Sequence, residues 1–186
     1  MERLERSFFA RPAIEVAPEL LNKLLVVGES AGRIVEVEAY TSDDEASHSA
    51  RGVTARNRVM FGPAGHLYVY FTYGMHHCAN IVTGDDGDGQ AVLLRALVAV
   101  WGIEAMRSRR GSSRRGRELP LADGPGKLCQ ALGIDRSLDG IDLCAPASAT
   151  AVLDDGTPPP ADPIVGPRIG ITRATDLARR WLTPPG

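Results

Sequence analysis

Glu38 and Tyr40 stand two apart in a stretch of regular alternation, so on a strand their side chains leave one face about 6 to 7 Å apart. A carboxylate and an aromatic ring at that separation suit a substrate in which a sugar carries a flat base, although a Glu and a Tyr facing solvent at a sheet edge would give the same pattern. Cleavage of an N-glycosidic bond passes through a cation-like sugar. One carboxylate can both stabilise that charge and take a proton from attacking water. Glu36 shares the face and is the rival base, unless it serves to pair with an arginine. Arg95, in Leu93-Leu94-Arg95-Ala96-Leu97, is a charge inside a strongly apolar strand, where burial must be balanced by an anion or by hydrogen bonds. A phosphate or Glu38 would supply that balance. Asn80 is likewise polar within Cys78-Ala79-Asn80-Ile81 and could read a base edge or hold neighbouring backbone. His48, Tyr68, Tyr70 and Tyr73 could line a pocket or stand at a tip, although tyrosines packed in a core would give the same pattern. Gly124-Pro125-Gly126-Lys127, ahead of a helix, could cradle a phosphate on backbone N–H groups.

These residues need elements to hold them. Val16 to Leu25 has helical spacing, with Leu20, Leu21 and Leu24 on one side and Pro18 suited to a first turn. Arg33 to Tyr40 alternates, with Val35, Val37 and Ala39 on a core face and Ile34, Glu36, Glu38 and Tyr40 on the other. Thr41 to Arg58 has no period and reads as a long surface loop. Leu67 to Thr72 and Cys78 to Thr83 are expected to form two strands joined by a tight turn, with Tyr73 near the tip. Ala91 to Val98 should add a further hairpin strand. Trp101 to Arg110 and Asp123 to Leu132 read as helices, with a mobile Gly/Ser/Arg loop between them. Ala145 to Pro163 reads as a connector, Ile164 to Ile171 as a last strand and Thr175 to Trp181 as a closing helix. Strands linked mostly by hairpins, mixed with helices, give an α+β domain.

The chain has 186 residues, enough for one domain with a real core, and residues 1–186 are read as that single domain. A charged start and the lack of any apolar run of roughly 18 residues argue against an export signal or membrane helix, so a cytoplasmic or nucleoid-associated protein is expected. Cys78, Cys129 and Cys144 form no C-x-x-C pair and are expected to be reduced and buried, without disulfide or zinc. The formal net charge is −2, but Arg51, Arg56, Arg58 and the run Arg107, Arg109, Arg110, Arg114, Arg115, Arg117 concentrate positive charge mid-chain. That pattern gives either one basic face or a solvated arginine helix and loop.

Taken together, the motifs resemble the alkyladenine (3-methyladenine) DNA glycosylases. The match runs through Phe8-Phe9, Gly32 to Tyr40, His48-Ser49, Arg56-Asn57-Arg58, Met60-Phe61, Leu67 to Met75, Asn80-Ile81, Val92 to Leu97 and Gly124 to Leu132. The resemblance implies a curved antiparallel sheet with surrounding helices and a protruding β-hairpin whose wedge, here Tyr73, enters DNA and fills the gap left by a flipped nucleotide. It implies Glu38 as general base and Arg95 as its partner in holding the water. The extruded purine would stack between Tyr40 and, opposite, His48 and Tyr70, with Asn80 crowding a guanine 2-amino group. Arg56, Arg58 and Lys127 would contact DNA. The implied partner is double-stranded DNA containing damaged purines, met by a monomer with no metal, no organic cofactor and no membrane. Alkylated purines that carry positive charge would stack well on tyrosine and leave readily.

Two other readings use the same residues. A glycosylase with lyase activity would form a Schiff base on a lysine, and the chain offers only Lys23 and Lys127. A catalytically silent module could recognise distorted duplex through Tyr73 and the arginines, but it would have no need of Glu38 and Arg95 together.

Overall fold

A computed structural model describes residues 1–111 and 120–185. Its frame is a curled antiparallel sheet of nine strands with four helices packed around it. In chain order the elements are β1 (Glu2–Arg3), α1 (Arg6–Phe9), α2 (Ala13–Leu20), β2 (Leu24–Val27), β3 (Ser30–Tyr40), β4 (Leu67–Thr72), β5 (His76–Thr83), β6 (Gln90–Trp101), α3 (Ile103–Arg110), α4 (Pro125–Leu132), β7 (Thr150–Asp154), β8 (Ile164–Gly166) and β9 (Arg180–Leu182). The sheet order is β1-β7-β2-β3-β6-β5-β4, with β9 pairing both β3 and β8. The α+β expectation holds.

β3 is the axis of the sheet. Its first half pairs with β2, while Glu36 to Glu38 lie between β6 and β9, so the catalytic candidates sit in the sheet interior. The even alternation expected along β3 fails at one place. Register shifts around Glu36 twist the strand, and Ile34 joins the buried core with Val37 and Ala39 while Val35 is left half-exposed. A bulge inserts a residue and reverses which side faces the core, which spacing alone cannot reveal. Gly32 is needed for the same crossing, since a Cβ there would come within 2.6 Å of Leu97 Cδ1.

Other expectations also change. The first apolar helix ends at Leu20, not Leu25, and Pro18 lies inside it rather than in its first turn. Proline cannot donate to the carbonyl four residues back, and Asn22 then adopts a left-handed φ of 68°, which turns the chain into β2. The supposed connector contains β7, which fills the gap between β1 and β2. The last strand is only three residues long, and the expected closing helix is β9, where Trp181 pairs with Val37 and packs into the core. Trp101 ends β6 instead of starting a helix. The expected loop after Arg110, with Arg114, Arg115 and Arg117, falls within 112–119, outside the described residues. The three cysteines are unpaired, and Cys144 is half-buried rather than buried.

Leu67–Thr72 is placed where alternation put it, and β4 and β5 meet through a turn at Tyr73, Gly74 and Met75. Tyr73 and Gly74 both adopt positive φ, 52° and 67°, which reverses the chain tightly. The turn is open to solvent: Tyr73 is 80% exposed and Met75 69%.

Candidate active site

A cleft of about 470 Å³ opens beside the hairpin, within the range of small-molecule sites. Its walls include Tyr40, His48, Tyr70, Tyr73, Asn80 and Arg95, so six residues picked out by sequence converge on one cavity. Tyr70 and Tyr73, on opposite parity, both border it, because the turn conformation of Tyr73 suspends the strand alternation. Arg58 and Lys127 are not among its walls; Lys127 Nζ instead pairs with Asp123 Oδ1 at 2.9 Å. Arg56 lies beside the aromatic wall, its guanidinium 5.7 Å from the Tyr70 ring centroid and donating to the Phe71 carbonyl at 2.9 Å.

Glu38 is not itself among the cleft walls; bonded to Tyr40 and Arg95, which are, it is 0% exposed and engaged on both oxygens. Its Oε1 faces Arg95 Nη1 at 3.2 Å and accepts from the Ile169 N–H at 2.8 Å. Its Oε2 accepts from the Tyr40 hydroxyl at 2.9 Å. Glu36, the rival base, is engaged differently: its Oε1 accepts from Arg95 Nε and from Arg180 Nη1, each at 2.9 Å. Arg95 therefore bridges both carboxylates. Burial works to lower its pKa, but Glu38 and Glu36 together hold it above the ordinary guanidinium value. A buried charge among Leu93, Leu94, Ala96 and Leu97 is thus balanced by carboxylates.

Burial, followed by the neighbouring Glu38 charge, pushes the Tyr40 phenol well above its usual pKa, so it remains a donor. The Tyr70 phenol is also raised, by burial and then by Cys78, and burial takes Tyr68 to about 12. His48 Nδ1 lies 3.0 Å from the Tyr68 hydroxyl, and its ring meets Tyr70 edge-on at 4.4 Å. Burial, then the Arg56 charge, lowers its pKa, so the imidazole is neutral near pH 7. Asn57 Nδ2 fixes the His48 carbonyl at 2.8 Å. Asn80 is buried and anchored through Nδ2 to the Tyr68 carbonyl at 3.1 Å.

Sequence reasoning missed the far wall. The segment Ile169 to Arg173 borders the cleft, and its first N–H reaches Glu38. Arg168 makes a fully buried ion pair with Asp44, which Arg179 also approaches at 3.3 Å. Asp44 stands between Asp43 and Glu45 in the aperiodic stretch Thr41 to Arg58, where nothing in type or spacing separates it from them. Arg168, a lone charge amid Ile164, Val165, Ile169 and Ile171, carried the same signal that singled out Arg95.

The sequence that builds this arrangement matches known proteins along most of its length. The profile of the methylpurine-DNA glycosylase family matches residues 7–185. A candidate 3-methyladenine DNA glycosylase of Burkholderia lata is 54% identical over 183 residues, covering 97% of this chain and 87% of the relative. Relatives described in the same words come from Streptomyces avermitilis, 52% identical over 91% of this chain and 81% of the relative, and from Methanoculleus marisnigri, 50% identical over 96% and 93%. The chain belongs to the methylpurine-DNA glycosylase family. By that membership it is a DNA repair glycosylase, a hydrolase of N-glycosyl bonds to alkylated purines. Among the described residues no helix is long and apolar enough to cross a membrane.

Proposed function

We propose that the cleft receives a 3-methyladenine-type purine swung out of duplex DNA, and that Glu38 directs water onto its sugar to leave an abasic site. The observation that carries this reading is a fully buried carboxylate joined to the walls of an aromatic cleft, its Oε1 held by Arg95 and the Ile169 N–H and its Oε2, among the described residues, by the Tyr40 hydroxyl. Oε2 therefore retains capacity for a water. The water gives its proton to Oε2 as its oxygen bonds to the anomeric carbon, and the glycosidic electron pair leaves with the purine. Arg95 orients the carboxylate, while Glu36, set between Arg95 and Arg180, holds Arg95 in place. Tyr40 stacks on one face of the base, with His48 and Tyr70 opposite, and Asn80 limits entry of purines bearing a 2-amino group. Tyr73 fills the vacated position in the duplex, and Arg56, Arg58 and Lys127 meet the phosphate backbone. A single domain spanning residues 1–186, acting as a monomer beside nucleoid DNA in the cytoplasm, carries the reaction.

A lyase reading would require a free amine over the cleft. Lys127 is engaged by Asp123 outside the cleft walls, which favours hydrolysis. The test is incubation with duplexes carrying single defined lesions. Free base and unbroken abasic strands are expected at neutral pH. A borohydride-trapped protein–DNA adduct lost in Lys127→Ala would establish the lyase instead.

A further inference from the structure

One face of the Tyr40 ring is covered by a cation. The Arg168 guanidinium carbon is 4.6 Å from the Tyr40 ring centroid, within cation–π range. The Arg168 side chain is wholly buried and is not among the cleft walls, whereas Tyr40 is, so the ring face that the guanidinium covers is closed to a base in the cavity. Arg168 has little freedom. Its Nη1 donates to the Ala39 carbonyl at 3.1 Å, its Nη2 to Asp44 Oδ1 at 3.0 Å, and the Asp44 pair is itself sealed from solvent. Its Nε has no nitrogen or oxygen partner among the described residues. Burial works to raise the Asp44 pKa, but Arg168, the Ala46 N–H and Arg179 together hold it below the ordinary value, so the pair stays ionised at neutral pH.

A cation on one face of an aromatic ring draws π-electron density toward itself, and the opposite face then attracts a second cation less strongly. We propose that Arg168, locked by Asp44, is a positioning residue that fixes the Tyr40 ring and reduces its preference for positively charged purines over neutral ones. This rests on the reading of Tyr40 as the stacking platform. The consequence concerns lesion choice: the ring discriminates less between cationic and neutral damaged purines than a tyrosine without a cation on its other face would.

The test compares excision of 7-methylguanine, cationic in DNA, with excision of hypoxanthine, which is neutral, in single-turnover reactions at sub-saturating enzyme. Arg168→Met is expected to raise the rate on the cationic lesion relative to the neutral one by about three- to tenfold, the span of a cation–π contact. The double change Arg168→Met with Asp44→Asn removes one charge of each sign, so the same rise there reports the ring rather than net charge. Arg168→Lys keeps a cation behind the ring and should retain the wild-type ratio even where both rates fall. If either Met variant fails to fold, Arg168→Gln, which keeps a donor for the Ala39 carbonyl, takes its place. Equal losses on both lesions, or the same ratio in the Met and Lys variants, would overturn the proposal. Tyr40→Leu distinguishes the two levels: wild-type rates on both lesions would remove the stacking platform itself. Loss of excision in Tyr40→Leu with an unchanged ratio in Arg168→Met would remove only the tuning.

Discussion

The two ends of the cleft are built on opposite terms. At the floor, Arg95 lines the cleft and holds the buried Glu38 and the partly buried Glu36 behind it, and Glu38 accepts three hydrogen bonds or ion-pair contacts before any substrate arrives. At the rim, Tyr73 and Met75 are exposed on the turn between β4 and β5. A group that must act on one atom gains from being fixed in advance, because orientation is then not lost at each turnover. A group that must enter a deformable duplex gains from reach and from having no place in the core. The comparison predicts that changes at the floor disturb both folding and chemistry, while changes at the rim disturb DNA engagement alone.

The largest effect on the molecule as a whole should come from Arg95→Met. It would leave Glu36 and Glu38 facing each other without their shared cation, and removing one partner of a buried pair typically costs about 3–5 kcal/mol. Thermal and urea unfolding should show that loss, together with loss of excision. A variant as stable as wild type would mean that the carboxylates are not balanced through Arg95. Tyr73→Ala should behave in the opposite way, with stability changed by less than about 0.5 kcal/mol, as for other exposed positions. Lesion binding should weaken and base release should slow. Equal single-turnover excision by Tyr73→Ala and wild type would remove the wedge and with it the division of labour between floor and rim.

Asn80→Ser is expected to have the smallest effect, and a selective one. Asn80 stands on the wall between the two ends, anchored to the Tyr68 carbonyl. A shorter side chain leaves room for a 2-amino group, so guanine release from undamaged DNA should rise while rates on alkylated adenine change less. Unchanged guanine release would make Asn80 a structural residue that holds β4 to β5.

The floor was more legible in the sequence than its surroundings. Glu38, Tyr40, Asn80 and Arg95 stood out because each places a polar or charged group at a defined position of an apolar strand, and that local contrast survives folding. The alternation that located Glu38 was itself interrupted at Glu36, and it misassigned Val35 and Ile34, because a bulge leaves no mark in composition. β7 was hidden in an Ala, Thr and Pro-rich stretch; its identity as a strand comes from the space between β1 and β2, not from its own residues. Thr175 to Trp181 read as a closing helix, yet Arg180 to Leu182 pair with β3, a long-range contact that local spacing does not reveal. The Asp44–Arg168 pair joins positions 124 apart, and only the tertiary fold brings them behind Tyr40.

The central claim is that Glu38, and not its neighbour Glu36 two residues away on the same strand, activates the water. Single-turnover excision of a defined lesion by Glu38→Gln and Glu36→Gln, with lesion binding and unfolding measured on both proteins, tests it most directly. Gln keeps the shape of Glu38 and can still hold a water, but it cannot take the proton or offset charge on the sugar. The expected result is a loss of at least about 10²- to 10⁴-fold in Glu38→Gln, the contribution of a positioned general base, with lesion-specific binding retained. Glu36→Gln should lose far less, because Arg95 keeps its contact with Glu38. Near wild-type excision by Glu38→Gln, or a greater loss in a folded, DNA-binding Glu36→Gln, would contradict the account.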